Sequence, residues 1–192
     1  MKITILTLFP EMVEPFFTSS IMKRAVEKGI VEYEIINFRD FAEGKHKKVD
    51  DEPFGGGAGM VIKPSPLYEC ISSLSLKDKR IIFPTPSGKL LTQKYSEELS
   101  KEKELVFICG HYEGLDQRVI DEFVTDEISI GDYVLSSGET ATIVVIDSLY
   151  RLIEGVITED SLKDESFSSG LLEYPQYTRP EVYCNKSVPS VL

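Results

Sequence analysis

The 192-residue chain predicts an α/β domain built on a largely parallel sheet. Short β-branched runs alternate with stretches of helical periodicity, which is the pattern of strand–helix–strand units. Three successive strand candidates are each followed by a loop of glycine, proline and small polar residues, where open α/β sheets bind their ligands. With 42% hydrophobic and 28% charged residues, the composition is that of an ordinary globular protein with a real core.

The elements follow in order. "MKITILTLFPEM" is an apolar run too short for a leader, closing on Pro10 and Glu11 without a small-residue cleavage site, and reads as a buried first strand. "SSIMKRAVEKG" has a serine start and a glycine stop and reads as a helix. "VEYEIINF", "RIIFPTP", "ELVFICG" and the short "EISIG" are strands. "PSPLYECISSL", "TQKYSEELSKE", "LDQRVIDEFV" and the long "GETATIVVIDSLYRLIEG" are helices, and no repeat or low-complexity tract interrupts them. These elements make one domain over 1–156. From 157 to 170 the chain turns acidic and serine-rich, "ITEDSLKDESFSSG", the composition of a mobile segment between ordered parts. The last stretch, 171–192, carries three prolines after Tyr174 and is expected to run extended.

Charge and cysteines narrow the classes. A net charge of −11 excludes coating nucleic acid by bulk electrostatics and leaves a local basic groove open. Cys70, Cys109 and Cys184 are odd in number and lack CxxC spacing, so neither a disulfide framework nor a zinc site is suggested, and a reducing, cytoplasmic setting fits. No apolar stretch reaches the roughly 20 residues of a membrane span.

One stretch breaks the periodicity. "HKKVDDEPFGGGAGMVIKPSP", residues 46–66, holds Gly55, Gly56, Gly57 and Gly59. Glycine loses more backbone entropy on folding than any other residue, so four together point to a site. The loops "PTPSGK" (84–89), "CGHYEGLDQR" (109–118) and "SIGDYVLSSGE" (129–139) line one predicted pocket. Their glycines turn main-chain amides and carbonyls inward, and Tyr112, Ile130, Tyr133 and Leu135 give apolar walls, which suits a flat heteroaromatic ring. Neither GxxxxGK[ST] nor a GxGxxG after the first strand is present, which disfavours ATP, GTP and the common dinucleotide fold.

Five motifs, "LFPEM", "VDDEPFGGGAGM", "CGHYEGLDQR", "SIGDYVLSSGE" and "GLLEYPQYTRPEV", stand in an order and spacing that resembles the bacterial tRNA (guanine-37-N1)-methyltransferases of the TrmD type, in the SPOUT superfamily. The resemblance covers essentially the whole chain. It implies a SPOUT-type, mostly parallel sheet with helices on both faces and a deep C-terminal trefoil knot. It also implies S-adenosyl-L-methionine as methyl donor, tRNA as substrate, a homodimer with shared active sites, magnesium as an accessory ion and no resident metal site. The apolar helix from Gly138 to Glu154 would then pack the dimer. A related SPOUT methyltransferase with a different RNA target, and a non-catalytic S-adenosylmethionine-binding module, stay open as alternatives at this stage.

Position by position, the resemblance places the donor pocket on Pro86, Gly110, Tyr112, Glu113, Gly114, Ile130, Gly131, Tyr133, Leu135 and Gly138. The substrate loop falls on Asp50, Gly55, Gly56, Gly57 and Gly59, with Lys45, His46, Lys47 and Lys48 nearby to attract phosphate. The reaction needs a base for the guanine N1 proton and a cation for the charge that builds on O6, but no covalent nucleophile. Arg151 takes the arginine's position. Glu165 stands directly before "SF", where the family has an aspartate, and is the expected base; Asp164, one residue earlier, is the reserve. Ser137 stands where "LSGGE" has a glycine, and Gln176 where "PHYTRP" has a histidine. Family members continue past "VPSVL" into a small basic domain that grips tRNA. On this reading a fused or separate partner would supply that grip.

Overall fold

The computed structural model describes residues 1–158 and 174–191. The chain divides into two units, Met1–Thr158 and Glu159–Leu192. The first unit runs β1 (Lys2–Thr7), α1 (Pro10–Phe17), α2 (Ser20–Glu27), β2 (Glu32–Asn37), a 3-10 turn at Phe38–Phe41, β3 (Asp50–Asp51), β4 (Val61–Ile62) and α3 (Pro64–Ser73). It continues through β5 (Arg80–Leu90), α4 (Gln93–Leu99), β6 (Glu104–Ile108), α5 (Gln117–Phe123), β7 (Asp126–Ser129) and α6 (Gly138–Tyr150).

Five strands form one sheet in the order β2-β1-β6-β5-β7, and every pairing in it is parallel. Central strands of such a sheet are buried on both faces, so β1 and β6 read as unbroken apolar runs. Alternation divides them. Ile3, Ile5, Leu105 and Phe107 pack with Val13, Phe17, Met22, Leu99, Val145 and Leu149 of α1, α2, α4 and α6. Leu6, Val106 and Ile108 point the other way, to Leu67 and Ile71 of α3 and Val119 and Phe123 of α5. Helices therefore cover both faces. Among the described residues no helix is long and apolar enough to cross a membrane.

Three expectations change. The first strand stops at Thr7, and Pro10, read as closing the strand run, instead opens a helix that was not expected, α1, at a position where a missing N–H leaves no bond unmade. The helix predicted over Gly138 to Glu154 stops at Tyr150, because Leu152 and Ile153 turn their N–H groups to the Leu149 and Tyr150 carbonyls in the tighter i to i+3 pattern. In the second unit the tail is not simply extended. Val182–Tyr183 (β8) pairs with Lys186–Ser187 (β9) across Cys184 and Asn185, both at positive φ (48° and 61°), the signature of a type I′ hairpin turn.

The amino-terminal edge of the sheet is laced by charge. Lys2 pairs with Glu34, Lys79 with Glu104, and the Arg80 guanidinium reaches Asp126, Glu98 and Glu102. Burial pushes the Asp126 carboxyl up, but hydrogen bonds from Arg80, Tyr95 and Thr125 outweigh it and hold the group at about 2. An acid whose folded pKa lies below its unfolded value of about 3.9 stabilises the fold above that value and loses the contribution as pH falls toward 2. Stability is expected to drop by on the order of 2 kcal/mol between pH 4 and 2 through this group. Urea titrations across that window should show the loss in the parent chain, and a shallower one in Asp126→Asn.

Candidate functional site

The three predicted loops converge at the carboxyl edge of the sheet. They enclose a cleft of about 270 Å³ whose lining includes all ten positions assigned to the donor pocket, from Pro86 through Gly138. The first loop is a bulge rather than a free connection. Both Pro84 and Lys89 of β5 register with Ile128 of β7, so residues 85–88 are looped out of the ladder with Pro86 exposed. Gly88 permits it: a Cβ there would lie 2.5 Å from the backbone of Glu127 and Ile128.

Helix α6 begins against the second loop. Gly138 donates its N–H to the Gly110 carbonyl at 2.8 Å, and a Cβ on Gly138 would sit 2.5 Å from the Gly110 nitrogen. Between Gly110 and Gly114 the chain turns sharply, with Tyr112 at φ +58°. A non-glycine residue there costs on the order of 1–3 kcal/mol and persists only where its surroundings dictate it. Tyr112 and Tyr133 stay half-exposed at the cleft, with Leu135 beside them.

The substrate loop reaches the rim of this cleft. Its base is the β3–β4 hairpin, where Asp50 pairs with Ile62, and its descending limb is tied down by the bond from the Glu113 N–H to the Met60 carbonyl. Gly59, at φ +91°, lies against the Glu113 side chain, where a Cβ would come within 2.3 Å of the carboxylate. Gly55, Gly56 and Gly57, all at positive φ, face open space, and Phe54 before them is fully exposed. Of the nearby cations, Lys47 pairs with Asp40 at 2.7 Å and Lys48 with Asp51 at 3.2 Å, while Lys45 and His46 are exposed. Exposed pairs of this kind are worth about 0–1 kcal/mol and exchange readily for phosphate.

Arg151 does not join the cleft. It caps the far end of α6, about 20 Å along the axis from Gly138 at 1.5 Å per residue. Glu165 and Asp164 lie outside the described residues. Sequence reading gave no role to Thr7, His111 and Glu139, which the fold brings together at the pocket. Glu139 is fully buried; it accepts the Thr7 hydroxyl on one carboxylate oxygen and faces His111 Nε2 at 2.6 Å with the other. Ser137 adds a buried hydroxyl in the pocket wall with no protein partner. An acid directly after the pocket glycine in "SSGE" and a histidine in "CGHYEG" were the available signals.

The family described as tRNA (Guanine-1)-methyltransferase TrmD matches residues 1–192. The chain belongs to this family. A Treponema denticola protein named tRNA (guanine-N(1)-)-methyltransferase is 57% identical over 192 residues, covering all of this chain and 79% of the relative. Proteins of the same name from Borrelia duttonii and Treponema pallidum are 59% and 53% identical, again over the whole chain and over 81% and 77% of their own lengths. Burial, and then the neighbouring Glu139, push the Cys109 thiol far above its ordinary range, so no thiolate nucleophile stands beside the cleft. Among the described residues no cluster of His, Cys, Asp or Glu is arranged to hold a metal ion.

The Gly138 contact is directly testable. Gly138→Ala is expected to force α6 off the Gly110 backbone and cost roughly 1–3 kcal/mol, the usual penalty for overpacking. Urea denaturation should show that loss.

Proposed function

We propose that this chain transfers a methyl group from S-adenosyl-L-methionine to N1 of guanosine 37 in tRNA, the nucleotide beside the anticodon. The observation that carries the reading is the gathering of all ten donor-site positions around one cleft, in a chain whose relatives are named tRNA (guanine-N(1)-)-methyltransferase. The cleft fits the donor on its own terms: apolar walls from Tyr112, Ile130, Tyr133 and Leu135, inward main-chain groups, and the unpartnered Ser137 hydroxyl. Bound there, the donor supplies an electrophilic methyl group on a sulfonium.

This chain's residues do the rest. Asp50 and the glycines of the substrate loop bring backbone against the target nucleotide. Glu165 accepts the N1 proton, with Asp164 in reserve, and Arg151 stabilises the charge that develops on O6. Magnesium is assigned no step. The trefoil knot belongs to this reading; the return of the chain from β7 to the Gly110 loop at Gly138 supports it. The setting is the cytoplasm.

The reading requires two copies. Arg151 caps the end of α6 remote from its own cleft, so a second subunit brings one copy's arginine to the other's donor. Exposed apolar side chains accompany this reading: Val144 of α6, between the exposed Thr140 and Asp147, and Met12 of α1, against which α6 packs. A protein carrying Gly138→Val, dead in the pocket, mixed with one carrying Arg151→Ala, is expected to regain activity in heterodimers. Absence of rescue, with mixed dimers verified by mass spectrometry, counts against the shared site.

The activity itself is tested by single-turnover transfer of a labelled methyl group to unmodified tRNA transcripts. Transfer is expected with guanine at position 37 and not with adenine there. Glu165→Ala should slow it by roughly 10²-fold or more, the scale of losing a general base, and Asp164→Ala much less. The reverse order would move the base to Asp164, and no loss in either would remove this segment from proton transfer.

A further inference from the structure

Glu139 is a fully buried carboxylate that the reaction above does not use. A buried charge is unfavourable unless hydrogen-bonded groups surround it, and packing alone could be done by an apolar side chain. Here the partners are complete. The Phe9 N–H bonds Thr7 Oγ1 at 2.9 Å, which leaves the Thr7 hydroxyl proton to point at Glu139 Oε1. Oε2 takes His111 Nε2 at 2.6 Å, and the His111 ring lies against Phe9 with centroids 4.7 Å apart. Glu139 also sits in the first turn of α6, where the helix dipole favours an anion.

The chain of bonds joins three elements that share little else in sequence: the last residue of β1, the loop after β6 and the start of α6. Its exposed end is in the pocket, because His111 is itself a lining residue. The next residue is Tyr112, held at φ +58°. That turn is anchored on the main chain at Gly110, through Gly138, and at Glu113, through Met60. His111 is its side-chain anchor. We propose that the buried Thr7–Glu139–His111 chain is a positioning device for the methyl-donor pocket, holding the 110–113 turn in its binding form before the donor arrives. Thr7 and Glu139 act through His111.

The proposal rests on reading the cleft as the donor site, so the test begins with the full parent chain and S-adenosylmethionine in a calorimeter. No binding there overturns the donor-site reading itself. With binding established, Glu139→Ala is expected to weaken donor affinity roughly 10-fold or more, since a turn in its competent form a tenth of the time lowers affinity tenfold. Amide exchange over 110–113, measured without donor, should quicken with it. Affinity for tRNA should stay within about two-fold, a separation that general destabilisation would not produce. Glu139→Gln can still accept from Thr7 and donate to the other tautomer of His111, and should recover most of the affinity. Thr7→Val serves if Glu139→Ala does not fold, with a smaller loss in the same direction. Unchanged donor affinity and exchange in folded Glu139→Ala or Thr7→Val, or a Glu139→Gln protein as impaired as Glu139→Ala, would overturn the proposal.

Discussion

The contact between Gly138 and Gly110 sets the geometry on which the rest of the site depends. A helix can start this close to a strand's outgoing loop only if its first residue lacks a side chain, because a Cβ on Gly138 would lie 2.5 Å from the Gly110 nitrogen. The partner glycine is equally constrained, with the Phe83 ring 2.9 Å from where its Cβ would stand. Once α6 begins there, the third loop must fold back over the first two, and a cleft results. Glu139, one residue on, is carried into the interior and must find Thr7 and His111. The helix axis then carries Arg151 away from the cleft.

Stability and function are separated along the strands. Ion pairs gather at the amino-terminal edge, where Lys2, Lys79, Arg80, Glu104 and Asp126 tie β1, β2, β5, β6 and β7 through partners in the same sheet or in α4. The carboxyl edge carries the unusual backbone instead: positive φ at Tyr112, Gly114 and Gly131, and the bulge of β5. Functional loops gain from a rigid frame they do not themselves build. Charge substitutions at the first edge therefore act on folding alone, and glycine substitutions at the second act on the pocket as well.

How much of this was legible in the sequence depended on the range of the interaction. β1, β2, β5, β6 and β7 were readable because short β-branched apolar runs set between helical stretches are a local signal. Helix α1 was not, because Pro10 reads equally as a strand terminator and as a first helical residue, and only the burial of Val13 and Phe17 decides between them. The β8–β9 hairpin hid for a similar reason: Cys184–Asn185 lacks the glycine that marks most type I′ turns. The donor loops were legible as a pocket from their composition and order. The Thr7–Glu139 bond was not, since 132 residues separate its ends and neither residue is unusual where it stands.

The four glycines of the substrate loop divide into two kinds, and the division says what the loop does. Gly59 lies against the Glu113 side chain, and beside it the bond from the Glu113 N–H to the Met60 carbonyl holds the loop to the pocket rim. Gly55, Gly56 and Gly57 are crowded by nothing within 4 Å, yet all three hold positive φ. Three such residues in a row are entropically costly to order. Next to them Phe54 presents a whole aromatic ring to solvent, and the lysines just upstream are tied only in exposed ion pairs. A firm base beside an open tip is the arrangement that the proposed role of this loop, closing on a nucleotide at the rim of the proposed donor cleft, requires.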